Sequence, residues 1–382
     1  MLPESNEEAW PRGSGRFTLE MSARVEVASG LEEHRMANQP LQQIVAQSAK
    51  PLGFHLAGIA PVTDENAAPE LDRFEQWVAE GRAGEMDYLK RRDPEGRLLR
   101  SSLRVPFPWA RSVIVCAVNY NSDQPYSIQR TTSAGNDSGW IARYAWSGRR
   151  QDPAQQDRTL VPTDYHTIIR ERLERLRADL EKIFGRFEAR CFVDTGPLIE
   201  RIYAKYAGLG WQGKNTCLIN ESLGSWFFLG VIITALELPA DERTAPMPDR
   251  CGSCTRCIDA CPTQALEPYR MDASRCIAYL TIEKRGEIPQ ELAVKVGRNV
   301  FGCDICQEVC PWNNRENNPV PITDWPELEA RPELVNPAFE WLAALTEADY
   351  RGLFRRSPVE RTKYAGLQRN VALAQKGGPP DG

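Results

Sequence analysis

Seven cysteines between Cys251 and Cys310 fall into two runs, Cys251-x2-Cys254-x2-Cys257-x3-Cys261-Pro262 and Cys303-x2-Cys306-x3-Cys310-Pro311. This is the spacing with which thiolates hold paired [4Fe-4S] cubanes: the first three cysteines of a run bind one cluster, and the fourth, followed by proline, crosses to the other. Such clusters carry single electrons, so the chemistry is redox. Two cubanes need eight thiolates, and the second run lacks its first cysteine because Val300 stands three before Cys303. Cys276 is the only other cysteine in the region. The count assigns Cys251, Cys254, Cys257 and Cys310 to one cluster and Cys261, Cys276, Cys303 and Cys306 to the other. A zinc ribbon also uses Cys-x2-Cys knuckles but leaves the surplus cysteine and both Cys-Pro endings unexplained. A [3Fe-4S] cluster that leaves Cys276 unused is a further alternative. Cys116, Cys191 and Cys217 are scattered and read as free thiols of a reducing compartment.

A second candidate for chemistry is Asp194, which follows Cys191-Phe192-Val193 and opens Asp194-Thr195-Gly196-Pro197. That pattern suits a turn or N-cap aspartate. An aspartate is ionised at neutral pH unless burial or a neighbouring negative charge lifts its pKa from about 3.9. The stretch Ala207 to Lys214 carries three glycines but not the order of a phosphate loop, since Lys214 is followed by Asn215.

The elements that must position these groups follow from periodicity. Residues 1–35 are polar and Glu-rich and read as disordered. A helix is predicted over 41–49, then a strand ending at Ala60-Pro61, then a helix over 71–80 closed by Gly81. The β-branched run 112–118 predicts a buried strand. Apolar residues at Ile168, Ile169, Leu173, Leu176, Leu180 and Ile183 predict a long helix over 165–184. Strands follow, one ending at Phe192-Val193 and another over 226–236. The alternation predicts an α/β or α+β domain over 36–245. A bacterial-type two-[4Fe-4S] ferredoxin-like module over 246–320 and a short helical segment over 321–382 come next. The Pro-rich stretches 238–248 and 312–332 read as linkers.

The chain has 382 residues, 42% of them apolar, and a net charge of -5. A cluster module needs only roughly 60 to 80 residues, so most of the chain does something else. No stretch approaches the roughly 18 to 20 apolar residues of a membrane span, and no signal-peptide or twin-arginine pattern opens the sequence. A cytoplasmic location without a membrane partner is expected. Contact with nucleic acid must come from local basic clusters, here Lys90-Arg91-Arg92, Arg149-Arg150, Lys284-Arg285 and the stretch from Arg351 to Lys363.

Arg143-Tyr144-Ala145, Asp164-Tyr165-His166, the run from Asp194 to Arg201, Ala207 to Asn215, Gly224 to Gly230, Cys276 to Glu283, and Gly302-Cys303-Asp304-Ile305-Cys306 resemble, in this order, the epoxyqueuosine reductases. Members of that family are cobalamin-dependent iron-sulfur enzymes that reduce the epoxide of epoxyqueuosine in the tRNA anticodon loop to the alkene of queuosine. The resemblance implies a cobalamin-binding domain ahead of the cluster module. It gives Asp194 the role of proton donor, and it implies cobalamin contacts from Arg100, Ala142, Asp194, Leu218, Leu229, Ala278, Cys303 and Asp304. Arg201, His166, Lys284 and Arg285 become substrate or tRNA contacts. Asp164-Tyr165-His166 begins a D-x-H-x-x-G cobalt-ligand pattern, but Ile169 stands where the glycine would be. His166 is therefore placed in the cavity wall, not beneath cobalt. The implied partners are a tRNA with a GUN anticodon carrying epoxyqueuosine and an external low-potential electron donor, the protein acting as a monomer. A cobalamin-dependent reductive dehalogenase and a ferredoxin-type electron carrier without its own catalysis are the other readings.

Three stretches depart from the family pattern. Residues 1–35 have no counterpart. The polar segment between Trp146 and Thr163 reads as an extra surface loop. The chain stops soon after Gln368-Arg369-Asn370-Val371-Ala372-Leu373-Ala374, where many members continue into helical repeats, so 321–382 is expected to be a truncated counterpart of that region.

Overall fold

The computed structural model describes residues 40–62, 64–129, 137–151, 160–239 and 246–376. The segment 1–35 lies outside the described residues. Four strands, β1 (Leu56–Pro61), β2 (Ser112–Asn119), β3 (Ala189–Phe192) and β4 (Phe227–Thr234), form a sheet in the order β1-β2-β4-β3. Every neighbouring pair is antiparallel, which settles the choice between α/β and α+β in favour of the latter.

All eight residues of β2 are buried because both faces of the sheet are covered. Successive side chains point to opposite faces. Ile114, Cys116 and Val118 meet helices α1 (Leu41–Ala49) and α3 (Tyr165–Phe184) on one side. Val113, Val115 and Ala117 meet α4 (Glu200–Tyr206) on the other. Helix α3 has the predicted bounds, capped by Asp164, whose side chain accepts the His166 N–H at 2.9 Å. Helix α2 (Asp64–Ala79) begins before the predicted Leu71, with Pro69 inside it. Its first residues, Asp64-Glu65-Asn66-Ala67-Ala68, carry no apolar stripe from which a start could be read.

Helix α4 is held close to the sheet. A Cβ on Gly58 would sit 2.3 Å from the Ala207 carbonyl oxygen just past its end. Lys205 pairs with the buried Glu70 of α2 at 2.8 Å. These contacts fix the loop between β3 and α4, which carries Asp194.

The cluster region contributes short helices, α5 (Arg256–Asp259), α6 (Ile277–Ile282) and α7 (Ile305–Glu308). It is stitched to the preceding segment, since Asn299–Phe301 pairs in parallel with Trp140–Ile141. Helix α8 (Lys363–Lys376) packs behind it, and Asn370 donates to the carbonyls of Thr281 at 2.7 Å and Val300 at 2.9 Å. The stretch 312–332 is no bare linker. Trp325 and Leu328 are buried in the same core as α1 and α3, and the Arg172 guanidinium lies 3.5 Å from the Trp325 ring centroid. Nor is 146–163 wholly a surface loop. Trp146 is buried, and Ser147–Arg150 pairs with Leu160–Pro162 and with Glu329–Ala330; residues 152–159 lie outside the described residues. Among the described residues no helix is long and apolar enough to cross a membrane.

Gly58→Ala should lower stability by about 1–3 kcal/mol, because the contact it makes is with backbone. The expected signature is a lower urea midpoint with an unchanged slope.

Candidate active site

Cys251, Cys254, Cys257 and Cys310, the four thiols counted into one cluster, line a cavity of about 380 Å³ together with Lys214, Arg250 and Trp312. Burial and the neighbouring Cys251 push the Cys257 thiol up to about 11. Thiols crowded in this way stay protonated unless metal cations take up the charge. Among the described residues no three His, Cys, Asp or Glu side chains converge on a single-ion site. Zinc would draw four sulfurs to about 2.3 Å from one ion, whereas a cubane holds its ligands around a larger body. Lys214, in the glycine-containing stretch, donates to the Gly252 and Cys254 carbonyls at 2.6 and 3.0 Å. It braces the cluster loop.

The second set also gathers. Burial and then the charges of Cys276 and Cys261 raise the Cys303 thiol. Cys306 is raised first by its hydrogen bond with Cys217 and then by burial, Cys303 and Cys276 adding to this. Cys217 is itself lowered to about 7, chiefly by that hydrogen bond. Spacing had left Cys217 among the scattered thiols, since the contact joins residues far apart in sequence. Between the ligands sits Asp304, buried, its carboxylate accepting the Arg143 N–H at 2.7 Å and the Trp140 Nε1–H at 3.1 Å.

Asp194 stands in the β3–α4 loop with a left-handed φ of 57°. Its side chain is 69% exposed, so the loop supplies no burial. Its Oδ2 accepts the Tyr165 hydroxyl at 3.0 Å and lies 3.9 Å from His166 Nε2. His166 Nδ1 is 2.6 Å from Asp164 Oδ1, and Tyr165 stacks on Phe228 at 4.1 Å. The Asp194 N–H donates to Glu200 Oε1 at 2.7 Å. Desolvation and then the charge of Asp194 push the Glu200 carboxyl up to about 8. Sequence reasoning quoted Tyr165 and Glu200 inside motifs without giving either a role; adjacency to Asp194 exists only once the loop is folded.

Arg100 donates to the Tyr88 carbonyl at 2.7 Å and the Gly196 carbonyl at 2.8 Å, clamping the far side of the same loop. Arg201 donates to the Thr216 carbonyl at 3.0 Å, beside Cys217. Leu218 is buried, and Leu229 is the one partly exposed residue of β4. Ala142 lies against Gly302, where an added Cβ would be 2.5 Å from the Ala142 Cβ. Ala278, half-buried, follows Cys276 on α6. Burial raises the Tyr144 phenol; its ring lies 6.2 Å from that of Tyr165, which donates to Asp194, and 6.0 Å from that of Phe301, two residues before Cys303. Lys284 is paired with Glu85, and Arg285 donates to the Arg361 carbonyl at 2.8 Å. The Arg361 guanidinium in turn lies 5.1 Å from the Tyr88 ring centroid.

Two gathered sets of cysteines define an iron-sulfur protein, and the sequence profile described as a 4Fe-4S double cluster binding domain matches residues 250–313. A second profile, described as epoxyqueuosine reductase QueG, DUF1730, matches residues 100–195. The epoxyqueuosine reductase of Synechocystis sp. is 40% identical over 316 residues, covering 82% of this chain and 98% of that one. The epoxyqueuosine reductase of Leadbetterella byssophila is 36% identical over 333 residues, covering 86% and 96%. A crystal structure of an epoxyqueuosine reductase with an epoxyqueuosine-modified tRNA-Tyr stem loop has a TM-score of 0.70 at 28% identity, covering 90% of this chain and 81% of that one. The Bacillus subtilis enzyme, with its catalytic aspartate loop swung out of the active site, has a TM-score of 0.70 at 26% identity, covering 90% and 81%. The chain belongs to the epoxyqueuosine reductase family.

Cys276→Ser should cut iron content from about eight per chain toward about four, whereas Cys217→Ser should keep both clusters. Iron analysis of the two anaerobically reconstituted variants decides between them, and the reverse pattern would make Cys217 the ligand.

Proposed function

We infer that this protein reduces epoxyqueuosine to queuosine at the wobble position of tRNA, using cobalamin fed with electrons by two [4Fe-4S] clusters and Asp194 as the proton donor. The observation that carries this reading is that the Tyr144 ring lies 6.2 Å from that of Tyr165, which donates to Asp194, and 6.0 Å from that of Phe301, two residues before Cys303. A plain electron carrier would have no use for an acid loop so placed. The conversion consumes two electrons and two protons and yields an alkene and water. Cobalamin, when bound, supplies a reduced cobalt able to attack carbon, which one-electron cubanes cannot do.

The residues present fit such a group. Leu229 is left partly uncovered in a strand otherwise buried, Ala142 lies against Gly302, Cys303 is counted among the second cluster's ligands, and Ala278 stands two residues after another of them, Cys276. Arg100 and Leu218 would complete the holding set, while the Asp304 carboxylate is already engaged by Arg143 and Trp140 and would act by fixing the loop. His166 has one ring nitrogen on Asp164 and the other toward Asp194. It belongs to the acid's surroundings. Asp194 would hand its proton to the departing oxygen, with Tyr165 and His166 setting its direction and Arg201 facing the substrate. Lys284 and Arg285 would meet tRNA phosphates at the rim, the anticodon being GUN. An external low-potential carrier would refill the clusters, and the protein would work as a monomer.

Anaerobic turnover of an epoxyqueuosine-modified stem loop tests the reading. Asp194→Asn should lower kcat by about 10²- to 10⁴-fold with cluster spectra unchanged, and undiminished turnover would remove Asp194 as the acid. Stem-loop affinity should fall linearly on a log–log plot against salt; a flat response would reject the phosphate contacts.

A further inference from the structure

We propose that Glu200 is a positioning residue for Asp194, its carboxyl group gripping the Asp194 backbone N–H and so holding the acid in the left-handed turn from which it faces Tyr165 and His166. The proposal rests on the reading of Asp194 as the proton donor. A non-glycine residue at φ 57° is in a sparsely populated conformation, and such a conformation persists only where the surroundings over-determine it. Solvent exposure deprives Asp194 of side-chain packing that could do this. The constraint therefore falls on the loop's hydrogen bonds.

Glu200 is equipped to provide one. It opens α4, whose Ile202, Tyr203 and Ala204 are buried and whose Lys205 is pinned to Glu70, so the point from which it reaches back is fixed. Its Oε1 lies 2.7 Å from the Asp194 nitrogen. On the other flank Arg100 holds the Gly196 carbonyl at 2.8 Å, and the two contacts bracket the acid. Asp194, Arg100 and Arg201 are the charged groups acting on Glu200. The carboxyl group is desolvated and its pKa lies at about 8, so its ionised form, the stronger acceptor for an N–H and a negative neighbour for Asp194, appears as pH rises through that value. The grip on the acid and the field around it are thereby linked to the same titration.

Glu200→Gln keeps an acceptor but removes the charge; Glu200→Ala removes both. With iron content and melting temperature matched to wild type, Glu200→Ala should lower kcat on the modified stem loop by about 10- to 100-fold with KM little changed. Glu200→Gln should recover most of that loss but lack the inflection near pH 8 expected of wild type from the raised Glu200 carboxyl. Adding Glu200→Ala to Asp194→Asn should cost nothing further, because both act through one group. Unchanged kcat and pH profile in Glu200→Ala, equal losses in both Glu200 variants accompanied by loss of iron, or an additive double variant would each overturn the positioning role. Wild-type turnover by Asp194→Asn alone would instead overturn the reading on which it rests.

Discussion

The carboxylate of Asp304 joins the cluster-bearing part of the molecule to the rest. It lies buried between two cysteines of the second set and is satisfied by the Arg143 N–H and the Trp140 indole. Removing one partner of a buried charge leaves an uncompensated group and typically costs several kcal/mol, so the distance between the second cysteine set and the Trp140–Tyr144 segment is tightly defined. Arg143 reinforces the join. Its guanidinium is enclosed by the rings of Trp146, Tyr126 and Trp226 at 4.8, 5.0 and 5.3 Å and donates to Ser122 and Gln124 carbonyls. A relay of electrons depends on such fixed separations, and here they are set by hydrogen bonds that no cofactor has to form.

The sheet places the other half of the site by the same logic of fixed approach. Glycine at position 58 lets the end of α4 come within backbone contact of β1, and Glu70 ties that helix from outside. The loop that carries Asp194 is therefore short of freedom at both ends, while its tip stays in solvent. Rigid flanks and an open tip are what a site for a macromolecular substrate requires, since the reacting nucleotide must enter from outside.

Much of this was legible along the chain. The double-cluster domain was, because cubane spacing is a local pattern. So was helix α3, because a sustained 3.6-residue period over twenty residues leaves little room for another structure. Tertiary neighbours were not: Cys217 meets Cys306 and Glu200 meets the Asp194 backbone only after folding. Composition misled at 312–332, where prolines signal a linker but Trp325 and Leu328 are buried with α1 and α3. The apolar residues before Asp194 permit burial, yet a single left-handed residue turns the chain outward.

One core unites Trp140, Ile141 and Trp146 with Val300 and Phe301 and with Leu334 through Ala374. Ribosomal synthesis delivers these three stretches in sequence, so the two tryptophans must wait, uncovered, until the last of them has emerged. Cys303 follows Phe301 by two positions, and its surroundings close only when that core does. The nascent chain thus passes through an interval in which its thiols are all present and the final packing is not.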